Sequence, residues 1–109
     1  MKAKVRKELV AIGKKLDSLG LVVGPGGNIS ARDGDVIYMK ASGICMYEAK
    51  ESDYVGVHIK TGKLVDGKLK PTSETPMHLE CYRRRADVKA VIHTHPTYAT
   101  AFAMQGIPF

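Results

Sequence analysis

Apolar residues recur every three or four positions in the first 19 residues, which is the spacing of one face of an α-helix. The residues that carry this spacing are Val5, Leu9, Ile12, Leu16 and Leu19. Gly20 follows them and is a suitable residue to end a helix. The pattern therefore predicts an amphipathic helix over residues 2–19 that covers one side of a sheet.

Short apolar stretches separated by turn residues make up the middle of the chain. Residues 28–32 and 36–40 are predicted strands, and Asp33-Gly34-Asp35 between them is typical of a hairpin. A further strand is predicted over residues 54–59. Because a hairpin joins antiparallel neighbours, the sheet is not expected to be all parallel.

Helical and extended segments alternate in the rest of the chain. Thr75-Pro76 is predicted to begin a helix that extends to about Ala86, with Thr75 as its N-cap. Residues 88–92, which are apolar except for Lys89, predict a strand, and residues 97–104 predict a third helix. Together these elements predict an α/β fold, in which helices flank a mixed, largely antiparallel central sheet in an α/β/α layered domain.

The length and composition agree with one small domain over residues 1–109, since 44% of the 109 residues are hydrophobic. The formal net charge of +6 does not by itself predict a nucleic-acid partner, because no aromatic residues or binding motif accompany the basic residues of the first helix. These basic residues are Lys2, Lys4, Arg6, Lys7, Lys14 and Lys15. We expect them to form a solvated face.

The cysteine and apolar patterns indicate a reducing compartment and no membrane span. Cys45 and Cys81 belong to no Cys-x-x-Cys motif and are predicted to be free thiols. No run of 18 apolar residues occurs, and no apolar segment follows the basic start of the chain. The sequence therefore predicts a soluble cytoplasmic protein.

His93-Thr94-His95 ends the last predicted strand and is the most informative motif of the chain. Side chains two residues apart in a strand leave the same face, about 6 to 7 Å apart, so both imidazoles can bind one metal ion. A catalytic zinc site needs a third protein ligand, which must come from elsewhere. His78 is predicted instead to be a packed or hydrogen-bonded core histidine.

Glu74 precedes the second predicted helix and lies 19 residues before His93. A helix packed antiparallel to the strand that follows it would bring Glu74 near the histidine pair. A carboxylate beside a metal can serve as a ligand or as a general base. The alternative is an acidic residue that only stabilises the start of the helix.

Three loop segments are rich in small residues that can present backbone amides or hydroxyls to an anion. These segments are Gly26-Gly27-Asn28, Ser42-Gly43 and Thr72-Ser73. Ordinary turn chemistry explains any one of them alone. Their combination predicts a binding site for an anionic group.

Four motifs, in this order and spacing, resemble the class II aldolase and adducin-head family, which includes fuculose-phosphate aldolase and ribulose-phosphate 4-epimerase. The motifs are Gly26-Gly27-Asn28-Ile29-Ser30, Ala41-Ser42-Gly43, Pro71-Thr72-Ser73-Glu74 and Val91-Ile92-His93-Thr94-His95. The resemblance extends from about Leu9 to the last residue.

By this resemblance, His93 and His95 would bind one Zn²⁺ per subunit, and Glu74 would be the catalytic acid/base. The implied residues of the phosphate site are Gly27, Asn28, Ser42, Gly43, Thr72 and Ser73. The implied activity is cleavage of a ketose phosphate to dihydroxyacetone phosphate and an aldehyde by a homotetramer. Zinc would stabilise the negative charge that develops on the substrate oxygens.

The resemblance leaves the reaction and the extent of the chain open. Epimerases of the family typically carry Asp where this chain has Glu74, which favours an aldolase, although sugar-phosphate epimerases and dehydratases share the framework. Family members are roughly twice as long, and their third zinc histidine lies in the second half. We therefore expect an N-terminal fragment or incomplete gene product. The alternative to an active aldolase is a non-catalytic chain, either an adducin-head-like module or a truncated, metal-poor fragment.

Overall fold

The computed structural model describes residues 2–22 and 26–94, which form two helices and five strands. In chain order the elements are α1 (Lys2–Ser18), β1 (Asn28–Asp33), β2 (Val36–Lys40), a 3₁₀ turn (Glu51–Asp53), β3 (Tyr54–His58), β4 (Leu64–Asp66), α2 (Thr75–Arg84) and β5 (Ala90–His93). The helix predicted over residues 97–104 lies outside the described residues, as does His95.

The five strands form one sheet in the order β4-β3-β2-β1-β5. The predicted hairpin is confirmed, since Ser30 pairs with Met39 and Asp33 pairs with Val36 in antiparallel register. β5 returns to the other side of β1 and also runs antiparallel to it. Every strand pairing within residues 2–22 and 26–94 is antiparallel.

Alternate residues of the strands point to opposite sides of the sheet, so each face has its own set of apolar side chains. A helix covers each of these two faces. On one face, α1 contributes to a core that contains Leu9, Leu16, Ile29, Tyr38 and Tyr54. On the other face, α2 contributes to a core that contains Ile37, Met39, Val57, Leu79 and Tyr82. The predicted α/β/α layering is therefore confirmed.

The prediction of Thr75 as the N-cap of α2 was wrong by one residue. Glu74 is the N-cap, and Thr75 is the first helical residue. The hydroxyl of Thr75 donates to the carbonyl of Thr72 at 2.6 Å instead of accepting from the first turn of the helix. The Thr75 hydroxyl is therefore used in a hydrogen bond to the preceding turn and does not cap the helix.

A polar cluster on the α1 side joins the first helix to β2 and β4. The guanidinium of Arg6 lies 3.1 Å from the Asp66 carboxylate and 5.0 Å from the centre of the Tyr38 ring. The Tyr38 hydroxyl donates to Asp66 at 2.7 Å. Burial, with this hydrogen bond, raises the pKa of Tyr38 to about 12. The cluster thus keeps a buried tyrosine hydroxyl satisfied on the face that α1 covers.

Cys45 and Cys81 are both free thiols, as predicted, and both are half-buried. None of the helices in the described part of the chain has the length and apolar character needed to cross a membrane.

Candidate active site

The loop after β2 lies beside the loop that precedes α2. Ala41 forms an antiparallel bridge with Pro71, and the amide of Ser42 donates to the carbonyl of Lys70 at 2.9 Å. Gly43 has a φ of +79°, which glycine adopts without steric cost. Two of the predicted anion-binding segments, Ser42-Gly43 and Thr72-Ser73, are therefore brought to the same end of the sheet.

The start of α2 lies at this same end. The Thr75 hydroxyl is 3.2 Å from Sδ of Met39, near the end of β2. The amide of Glu74 donates to the Thr72 hydroxyl at 3.3 Å, and the Glu74 side chain is half-buried while Ser73 is exposed. Glu74 thus lies at the positive end of the helix dipole, beside the exposed Ser73.

Gly27 and Asn28 lie next to His93 because β5 pairs with β1. Asn28 is directly opposite His93 in this pairing. Gly27 has a φ of +77°, and a Cβ there would lie 2.6 Å from Cγ1 of Val22 and 3.2 Å from the His93 carbonyl oxygen. Only glycine therefore allows the chain to approach the end of β5 this closely.

His78 connects α2 to β1 through both of its ring nitrogens. Its Nδ1 is 2.7 Å from the hydroxyl of Ser30, and its Nε2 is hydrogen-bonded to Oδ1 of Asn28. The prediction of a buried, hydrogen-bonded histidine is confirmed. Burial, together with the nearby charge of His93, lowers the pKa of His78 to about 4. His78 is therefore neutral at pH 7, and neither ring nitrogen is available to a metal.

These contacts place most of the predicted site at one end of the sheet. Asn28 pairs with His93 across the two strands, and its side chain is hydrogen-bonded to His78 of α2. The backbone amide of His78 donates to the carbonyl of Glu74 at 3.2 Å. Ala41 and Met39 join the two loops to the end of β2. The structure thus gathers the predicted site residues except His95, which lies outside the described residues. The residues gathered are Gly27, Asn28, Ser42, Gly43, Thr72, Ser73, Glu74 and His93.

Lys40 is a candidate site residue that sequence analysis missed. Only 1% of its surface is exposed, and its ammonium group donates to the carbonyl of Ile44 and lies 3.5 Å from that of Ala41. Burial lowers the pKa of Lys40. In the sequence, the only indication that Lys40 is buried is its position at the end of an apolar strand. An exposed lysine can occupy the same position, so the sequence does not predict the burial. Lys40 holds the loop that carries Ser42 and Gly43.

His93 offers donor chemistry that fits zinc. Its imidazole is half-buried at the end of β5, and neutral imidazole nitrogens are common zinc ligands. Within residues 2–22 and 26–94, no group of three histidine, cysteine, aspartate or glutamate side chains is arranged to hold a metal ion. A complete site would therefore need ligands from outside this part of the chain.

Comparison with known proteins identifies the family to which the chain is similar. The family described as the Class II Aldolase and Adducin N-terminal domain matches residues 7–109. The 5-deoxy-D-ribulose 1-phosphate aldolase of Bacillus thuringiensis serovar kurstaki is 44% identical over 105 residues, which are 94% of this chain and 49% of that protein.

Solved structures show the same fold. An L-fuculose 1-phosphate aldolase superposes with a TM-score of 0.87 at 42% identity, over 95% of this chain and 50% of that one. The L-fuculose-1-phosphate aldolase of Thermus thermophilus superposes with a TM-score of 0.79 at 27% identity, over 95% of this chain and 52% of that one. The chain thus spans about half the length of these relatives, and it belongs to the class II aldolase and adducin N-terminal domain family.

Proposed function

We propose that this chain supplies the phosphate-binding and proton-transfer residues of a zinc-dependent aldolase that acts on a ketose 1-phosphate. The observation that carries the proposal is the meeting of three small-residue loops, Glu74 and His93 at one end of the sheet. The relatives named as aldolases of 5-deoxy-D-ribulose 1-phosphate and L-fuculose 1-phosphate support this substrate class.

The phosphate group would be held mainly by neutral donors. Gly27 and Gly43 both have positive φ values, and such turns can direct backbone amides toward an anion. Thr72 and Ser73 add hydroxyls close to the start of α2, where the positive end of the helix dipole attracts negative charge. The buried Lys40 adds a positive charge behind the Ser42-Gly43 loop.

His93 and His95 are proposed to hold the zinc ion, with at least one further ligand from outside the described residues. When bound, zinc supplies a Lewis acid that stabilises negative charge on the substrate oxygens. The buried pair of His78 and Asn28 lies directly beside His93. His78 and Asn28 are both uncharged, and the hydrogen bond between them fixes the side chain of the residue that pairs with His93.

Glu74 is proposed to move the proton that the reaction requires. In cleavage, the bond between C3 and C4 of the ketose phosphate breaks, and its electron pair passes to C3. C4 loses its hydroxyl proton and becomes the aldehyde carbon, while C3 gains a proton to give dihydroxyacetone phosphate. Glu74 would take up the proton lost by the C4 hydroxyl and deliver it to C3 in cleavage, and it would carry the proton in the reverse direction in condensation. The homotetrameric state and cytoplasmic location implied by the family resemblance belong to the same proposal.

The anion site can be tested by titrating ¹⁵N-labelled protein with inorganic phosphate. We expect the amide resonances of residues 26–28, 42–43 and 72–73 to shift together, because an anion bound between these loops changes the electrostatic environment of all three. The six basic residues of α1 provide an internal control for nonspecific attraction. Shifts confined to α1 would contradict the proposed phosphate site.

A further inference from the structure

Four buried polar side chains form a continuous hydrogen-bonded series between β1 and α2. The Ser30 hydroxyl lies 2.7 Å from Nδ1 of His78 and 2.9 Å from the hydroxyl of Tyr82. Nε2 of His78 is bonded to Oδ1 of Asn28. All four residues are at most 4% exposed. Asn28 belongs to the proposed phosphate site, whereas the proposed reaction uses none of the other three.

The chemistry of the partners gives this series a direction. A neutral imidazole has one donor and one acceptor, and the Asn28 oxygen can only accept, so Nε2 of His78 carries the proton. Nδ1 then accepts from the Ser30 hydroxyl, whose oxygen in turn accepts from Tyr82. The imidazole is neutral because it is fully buried and both partners of its ring nitrogens are uncharged. The series of donors therefore runs in one direction, from the Tyr82 hydroxyl through Ser30 and His78 to the Asn28 oxygen.

We propose that His78 is a positioning residue that selects which end of the Asn28 amide meets the substrate phosphate. By donating to Oδ1, His78 leaves the NH₂ group of Asn28 to donate to the anion. Rotation of the amide by 180° would present its oxygen, which repels phosphate, and the bond from His78 opposes that rotation. The inference rests on the proposed function, because it assigns a recognition role within that same phosphate site.

The tautomer of His78 tests the inference without any substitution. Long-range ¹H–¹⁵N correlation spectra distinguish the protonated ring nitrogen from the unprotonated one. We expect the proton on Nε2, both with and without phosphate. A proton on Nδ1 would overturn the inference, since Nε2 would then accept from the Asn28 NH₂ group and the amide oxygen would face the site.

A double-mutant cycle tests whether the effect passes through Asn28. Ser30→Ala should raise the Kd for inorganic phosphate about three- to tenfold, the range expected when one neutral hydrogen bond is lost. In an Asn28→Ala background the same substitution should have no further effect, because the group that it positions is absent. An equal effect in both backgrounds, or no effect in the parent, would contradict the positioning role.

Two tyrosine substitutions provide a matched control. Tyr82→Phe should raise the Kd for phosphate in the same direction as Ser30→Ala. Tyr38→Phe also removes a buried hydroxyl, but on the opposite face of the sheet, and should leave the Kd unchanged. If Tyr82→Phe changes the Kd no more than Tyr38→Phe, the inference is wrong.

Failure of the proposed function gives a different result, because the parent protein would then bind no phosphate. The two failures are therefore distinguishable.

Discussion

Replacement of Glu74 by glutamine is expected to lower turnover by about 10²- to 10⁴-fold, the usual range for general acid–base catalysis. The substitution keeps the size of a half-buried side chain at the start of α2 but removes its ability to accept and deliver the proton at C3. Binding of inorganic phosphate should change little. The measurement is steady-state cleavage of a ketose 1-phosphate by the protein expressed from its complete genomic reading frame.

Glu80 on the same helix offers a matched control for this result. Its carboxylate is exposed and paired with Arg84, so Glu80→Gln should leave turnover unchanged. Glu74→Asp is the more discriminating variant, because it keeps the charge and withdraws the carboxylate by one methylene, which misplaces a proton transfer. If Glu74→Gln retained parental turnover and parental solvent exchange at C3, Glu74 would be only an acidic residue that stabilises the helix.

Replacement of His93 by alanine is expected to have the second largest effect, a loss of bound zinc. Changes to residues that only support a metal ligand commonly cost 10- to 100-fold in affinity, and loss of a ligand itself should cost at least about 100-fold. His95→Ala should behave in the same way. The measurement is zinc content after gel filtration, together with the Kd for zinc measured by competition with a chelator of known affinity.

His58 serves as the control histidine for the zinc experiment. It pairs with Val36, at the opposite end of β2 from Lys40, and its Nδ1 accepts from the amide of Lys60 at 3.2 Å. His58→Ala should therefore retain the zinc of the parent. Equal zinc content in the parent and in the His93→Ala and His95→Ala variants would exclude the proposed metal site.

The elements that sequence analysis predicted correctly are those with strong local patterns. The 3.6-residue apolar period of α1 and the Asp33-Gly34-Asp35 turn each carry their signal within a few residues. β4 was missed because it is three residues long and both of its apolar residues, Leu64 and Val65, are exposed. The spacing of apolar residues reveals a strand only when one of its faces is buried. A short, exposed edge strand therefore has no clear pattern in the sequence.

The arrangement of the candidate site was only partly predictable because it depends on contacts between distant segments. The four motifs were visible, but the pairing of β5 with β1 and the bridge from Ala41 to Pro71 involve residues far apart in sequence. The polar side of His78 and Tyr82, four residues apart on α2, could have suggested a polar partner on β1. No local pattern identified that partner as Asn28 and Ser30.

Release of dihydroxyacetone phosphate is the measurement that tests the proposed activity most directly. The protein expressed from its complete reading frame would be incubated with L-fuculose 1-phosphate or 5-deoxy-D-ribulose 1-phosphate, and the released product would be reduced by a coupled dehydrogenase. We predict release that is abolished by a chelator, restored by added zinc, and lowered at least about 100-fold in Glu74→Gln. A protein that is loaded with zinc and binds phosphate, yet releases no dihydroxyacetone phosphate from either substrate, would contradict the proposed aldolase activity.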